Sequence, residues 1–329
     1  MKLRLLAITL LGLASFSCDK ARSLANKARS AMESEIAKKS ADSDKTKVDP
    51  ALEKLVDRTP EGVVFRKDIP FPARLDVKVT RSHEINGRVF ESSILGNTAT
   101  TVKGTQTTVT HLERAADQVR YTLEGSTFSD PVVEGDKQDE KKKPVVRQLA
   151  PPSKPRIYKK TGSKWIAENS EGFRTAALAK ELSPVFDLLL EENLLAPRRL
   201  WLGRHRIKIG TEIPVTGDML SMLVTGKAHG SYILKFESTS GVNGHPCGVF
   251  SIKGDYSRKG FPDFEGNLTD EDVTVESGKI WLSLLYPIVL REEMDTIQTF
   301  RSGASGSPAS RTQGTVRVSV IRDWKTPKS

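Results

Sequence analysis

The residues best suited to chemistry in this sequence are basic and aromatic, and they lie between Pro197 and Gly210 in the run PRRLWLGRHRIKIG. Arg198, Arg199, Arg204, His205, Arg206 and Lys208 surround Trp201. Cationic side chains beside a tryptophan suit the phosphate or carboxylate of an amphiphile at a lipid–water boundary. Read as a strand, the run puts Arg206 and Lys208 on one face and Ile207 and Ile209 on the other. Nucleic-acid proteins use the same ingredients. The plain alternative is a charged, solvated strand face.

Catalytic and metal signatures are missing from the sequence. There is no HExxH, GxSxG, Walker loop or CxxC pair, and Ser302 to Ser307 reads as a flexible loop. His83, His111, His205, His229 and His245 are scattered without metal spacing. The acidic run from Asp263 to Asp272 fails the EF-hand pattern, with Leu268 at position six and Thr274 at position twelve. An acidic loop answering Arg258 and Lys259 is the plainer reading. Cys247 reads as a small buried hydrophobe rather than a nucleophile. His245-Pro246-Cys247 reads as a poor catalytic pair, because neighbouring strand residues point to opposite faces. No cofactor or metal is expected, and binding is favoured over chemistry. An enzyme whose carboxylates meet only in three dimensions stays open as the least favoured class.

The first eighteen residues, MKLRLLAITLLGLASFSC, carry Lys2 and Arg4 before the short apolar run Leu5–Leu13. This is a secretory signal, too short for a transmembrane helix. It resembles a bacterial lipoprotein signal, which implies that Cys18 is acylated and becomes the mature N-terminus. Ser15 and Phe16 depart from that motif, and Ser15 with Ser17 would equally suit ordinary cleavage after Ser17. The expected location is therefore the bacterial cell envelope, lipid-anchored to a membrane, with a soluble periplasmic or secreted protein as the alternative. A net charge of +10 favours anionic surroundings. An exported chain rarely meets nucleic acid, so lipid headgroups or acidic glycans are the better partners. If Cys18 is acylated, Cys247 has no disulfide partner, and the body must be held by its core.

Residues 19–58 form a charged tether, helical or disordered, ending in a helical turn after Asp49-Pro50. A first β region spans 60–129, with strands at Val63–Phe65, Leu75–Val79, Thr98–Leu112 and Val119–Leu123 and a hairpin turn expected at Asn86-Gly87. The Pro/Lys-rich stretch 130–160 reads as a solvated linker or insertion. Residues 161–325 hold a helix over 184–196, opened by Ser183-Pro184 and wide enough in its apolar face to pack on a sheet. They also hold a second β region with turns at Asn243-Gly244 and Ser277-Gly278 and a final strand over Thr315–Ile321. This region and 60–129 are expected to form one body. Ile85–Val89 and Val242–Pro246 look like matching hairpins, which would suit a duplicated unit.

The expected fold is mainly β with some helix (α+β): an antiparallel curved sheet or open half-barrel, with the helix packed on it. From about 60 to 325 the pattern resembles bacterial envelope lipoproteins built on a curved, open sheet covered by helices, the half-barrel that carries lipoproteins between membranes. The resemblance implies a lipid or other amphiphilic ligand in an apolar hollow, with the basic run at its mouth. A scaffolding lipoprotein that docks an envelope protein or glycan is the competing class.

Overall fold

The computed structural model describes residues 48–66, 69, 74–93, 96–115, 117–130, 145–161, 164–167, 205–217, 220, 228–262, 268–286, 288–302 and 310–324. The helix expected over 184–196 lies outside these residues. The chain opens with a one-turn helix, α1 (Pro50–Glu53), started by Asp49, whose carboxylate accepts from the Ala51 amide. A small hairpin follows, β1 (Asp57–Thr59) with β2 (Gly62–Val64). The remaining strands are β3 (Leu75–Ser93), β4 (Gly96–Arg114), β5 (Gln118–Ser129), β6 (Val146–Ala150), β7 (Arg156–Thr161) and β8 (Lys164–Ala167). After them come β9 (Glu212–Thr216), β10 (Ala228–Val242), β11 (His245–Pro262), β12 (Leu268–Ser283), β13 (Val289–Ser302) and β14 (Ser310–Trp324).

These twelve strands make one antiparallel sheet in the order β8-β7-β5-β4-β3-β14-β13-β12-β11-β10-β9, with β6 beside β5, and it does not close into a barrel. Neighbours in the sheet are mostly neighbours in sequence, as hairpin connections require. β5 skips β6 to pair with β7 as well, and the long-range exception is the central pair, where β3 runs beside β14 from Val77↔Trp324 to Glu91↔Ser310. Alternation drives each strand: Tyr232, Leu234 and Phe236 are buried on β10 while Ile233 and Lys235 are exposed. The same period puts Val316, Val318, Val320 and Trp324 of β14 on the inner face.

The sheet is strongly curved. The rings of His245, at the start of β11, and Trp324, at the end of β14, are stacked with centroids 4.6 Å apart. Three inter-strand steps would separate those strands by about 14 Å in a flat sheet. Bulges at Phe236/Ser238, Ser251/Gly254 and Val275/Ser277 supply local bends. At Gly254, with φ of +148°, a Cβ would stand 2.1 Å from the Ser231 carbonyl oxygen, so only glycine lets β10 and β11 approach there.

Three apolar clusters fill the inner face. One, under β9 to β12, packs Phe65 against Phe236 and Phe250 and includes Ile207, whose backbone bridges Val63. The second closes one end of the sheet with Leu75, Val77, Leu112, Tyr158, Leu290 and Trp324 among its members. The third holds Ile85, Val89, Val102, Phe128, Val316 and Val318.

Several expectations are corrected. Asn86-Gly87 is not a turn: β3 passes straight through it, and Gly87 lies opposite Gly314 of β14. It therefore cannot match the real turn at Asn243-Gly244, where both residues adopt positive φ (49° and 83°) between Val242 and His245. Ser277-Gly278 sits inside β12 beside a bulge, not in a turn. The stretch 130–160, read as linker or insertion, supplies β6 and most of β7, because Tyr158 finds a fully buried place opposite Val119. Residues 48–58 of the tether are docked, with the Asp49 amide donating to the Gly244 carbonyl at 2.8 Å.

Candidate functional site

Between the apolar clusters the inner face turns polar. On β3, the inward positions read Leu75, Val77, Val79, Arg81, His83, Ile85, Gly87 and Val89. Arg81 and His83 interrupt an otherwise apolar row. Strand register carries the interruption sideways. Arg81 lies opposite Thr108 on β4 and Val320 on β14, and Val320 lies opposite Glu292 on β13. Arg322 is one inward position along β14, opposite Val79.

Two carboxylates on the inner face, Glu292 and Glu271, are engaged by arginines. Glu292 accepts from Arg322, which also donates to the Val289 carbonyl at 3.1 Å. Glu271 accepts from Arg258, and the Tyr256 hydroxyl lies 3.5 Å from its other oxygen. Both pairs are largely shielded from water. Burial pushes the Tyr256 and Tyr232 hydroxyls up, with Tyr256 and Glu271 adding to the rise at Tyr232. Arg258 and Arg322 are taken by these two carboxylates, and beside them stands Arg81. It makes no hydrogen bond or ion pair among the described residues.

Desolvation pulls the Arg81 pKa below its ordinary value, and Arg322 and Arg258 pull it further, against Glu292 and Tyr121. An arginine answers such pressure by staying charged and seeking an anion, because its intrinsic pKa lies so high. The influence of Arg258 comes from β11, four strands away along the sheet, which fits the curvature around this band. Arg81 and His83 are hemmed in by protein yet only half-buried.

The neighbours suit anion binding rather than proton transfer. Burial, then Arg81, lowers the His83 pKa to about 4, so the imidazole is neutral at pH 7 and can donate or accept. Tyr121, raised by burial, presents a protonated hydroxyl near Arg81 and Arg156. Thr108 and Ser126 pair through their hydroxyls at 3.0 Å in the same row. Apolar side chains flank the band, Leu75 and Val77 on one side and Ile85 and Val89 on the other.

The site expected from sequence is only partly placed. Cys18, Arg198, Arg199, Trp201 and Arg204 lie outside the described residues. Arg206 is engaged with Asp57 at 2.6 Å and with the Gly62 carbonyl at 3.3 Å, so it pins the β1–β2 hairpin. Lys208 is exposed. The expected pairing of Ile207 with Ile209 on one face fails: Ile207 is buried and Ile209 is 72% exposed, because the run makes a single bridge to Val63 and then turns away. Of the acidic run, 263–267 lies outside the described residues. Glu271 pairs with Arg258 as expected, and Asp272 with Arg301 at 2.6 Å.

Cys247 is fully buried, its thiol 3.5 Å from the His245 carbonyl. His245 and Cys247 are two apart and both buried, so the opposite-face argument is corrected. What keeps them from pairing is that the imidazole is stacked on Trp324. Sequence reasoning missed Arg81, His83, Tyr121 and Arg322. The available signal was an arginine and a histidine at alternate positions in a valine-rich strand. No protein-family model matches the chain, and no curated protein matches its sequence.

Proposed function

We propose that this protein is a non-enzymatic, envelope-located binder of an anionic amphiphile, anchored through an acylated Cys18. The observation that supports the reading is Arg81, a half-buried guanidinium on the inner face of the sheet with no hydrogen bond or ion pair among the described residues. Leaving a cation in that position without a partner costs stability. A ligand carboxylate or phosphate would take the fork of the guanidinium, with Tyr121 and His83 as further hydrogen-bonding groups. The ligand's apolar part would lie against Val79, the half-buried apolar residue next to Arg81 in the inward row of β3. The basic run around Trp201, expected as the headgroup site, gives way in this proposal to Arg81.

The test is native mass spectrometry of exported Cys18→Ser protein purified gently from its own envelope, beside the same protein carrying Arg81→Met. A non-covalent lipid mass on the first, reduced at least about tenfold on the second, is the expected result for a lost charge-assisted contact. Ligand-free protein in both samples would sink the reading.

A further inference from the structure

The outer face of the sheet carries a second basic site at the far end from α1. There β3, β14 and β4 present Arg88, Phe90, Arg311 and Lys103 to solvent, while Val89, Thr312 and Val102 point inward. Phe90 lies directly opposite Arg311, and Arg88 stands diagonally between Arg311 and Lys103. Phe90 is 40% exposed, a large apolar ring left in water among cations.

Among the described residues the charge on this patch is not compensated. Arg88 and Lys103 make no ion pair or hydrogen bond among the described residues, and the Arg311 guanidinium donates only to the neutral Gln313 at 2.8 Å. Arg301 lies opposite Arg311, a like-charged pairing that weakens a sheet, but Asp272 neutralises Arg301. Glu84, on the same face, lies opposite Arg317 and draws on it rather than on the patch. Elsewhere this face is laced with ion pairs: Lys78 with Glu124, Asp76 with His111, Asp295 with Arg317. The contrast isolates three cations with no carboxylate partner among the described residues, set around one aromatic.

We propose that this end of the outer face docks on an anionic phospholipid bilayer. The three basic side chains meet the negative surface, and Phe90 enters the headgroup layer, where aromatic rings are favoured. A base would stack on Phe90 too, but an exported chain rarely meets nucleic acid; three cations around an apolar ring that can enter the headgroup layer favour the bilayer. The site is separate from Arg81, which faces the opposite side of the sheet, and neither depends on the other.

The experiment is co-sedimentation of exported Cys18→Ser protein, free of any acyl chain, with phosphatidylcholine vesicles with and without phosphatidylglycerol. The expected result is binding only to the anionic vesicles, weakening as salt rises. Each basic residue is worth about fivefold in binding, so Arg88→Ser/Lys103→Ser/Arg311→Ser should lose on the order of a hundredfold. Arg120→Ser, at the other end and beside Glu113, should bind as the parent does. A Phe90→Trp protein, otherwise intact, gives a second readout: its emission should shift to the blue on anionic vesicles alone. Equal binding to both vesicle types, a triple variant that binds like the parent, or an unshifted Phe90→Trp emission would each overturn the proposal. Heparin binding that disappears in the triple variant while vesicle binding persists would assign the patch to a glycan and overturn it equally.

Discussion

The imidazole of His245 lies nearly flat on the indole of Trp324, the ring planes 12° from parallel and the Nε2 atom 3.3 Å from the Trp324 carbonyl oxygen. Tyr286 meets the same indole edge-on at 4.9 Å. The contact joins strands that the sheet keeps apart, so it holds the curvature at that end. Trp324→Ala should cost about 3–5 kcal/mol, the usual range for a large buried aromatic. Chemical denaturation would measure it, and a cost near zero would mean the curvature is held elsewhere.

Arg81 and Arg322 should respond in opposite directions. Removing the Arg81 cation, which has no ion pair among the described residues, with Arg81→Met is expected to stabilise the ligand-free protein by about 1–2 kcal/mol. Arg322→Met strands Glu292 without its partner and should destabilise by about 3–5 kcal/mol. Paired urea titrations check both, and a loss of stability in Arg81→Met would show that the guanidinium has a structural partner.

His83 gives a pH dependence with a defined sign. Its pKa falls from 6.5 to about 4 in the folded protein. Between those values the unfolded chain binds more protons, so stability is full above about pH 6.5 and is lost as pH falls towards 4. The contribution is up to about 3 kcal/mol, lessened because the ring is half-exposed. Burial shifts His245 the same way, against the Trp324 carbonyl, Asp49 and Asp323. His83→Gln should flatten the unfolding midpoint over that window, and an unchanged profile would count against a neutral His83.

Gly87 and Gly244 test two uses of one residue type. A Cβ at Gly87 would stand 2.8 Å from the Gln313 carbonyl oxygen, so Gly87→Ala should force β3 away from β14 at about 1–3 kcal/mol. Gly244 meets nothing closer than 3.8 Å, and Gly244→Ala should cost about 1 kcal/mol through its positive φ alone. Melting temperatures of the two variants would separate the cases.

Those glycines also show how far the sequence could be read. Period-two alternation located the strands around Tyr232, Phe250 and Val316, because burial on one face writes itself directly into residue order. Asn243-Gly244 and Asn86-Gly87 look alike in sequence. The second is different because Gly314 passes beside it, and local patterns cannot report a partner so distant in the chain. The Arg81 site was hidden for the same reason: its compensating and competing charges come from β11, β12, β13 and β14. Only the break in the valine row of β3 was visible.

The central β3–β14 ladder also bears on how the molecule assembles. Hairpins from β10 through β13 can form as soon as their own residues are available, since each closes a short loop. The pairing of Val77 with Trp324 must wait for nearly the whole chain. High sequence separation makes that step slow. Until it is complete, β3 and β13 each present a long unpaired edge, open to the wrong partner. The strand that joins the two halves, β14, is made after every other strand of this sheet, and a chain truncated before Ser310 would persist as two separate, sticky sheets.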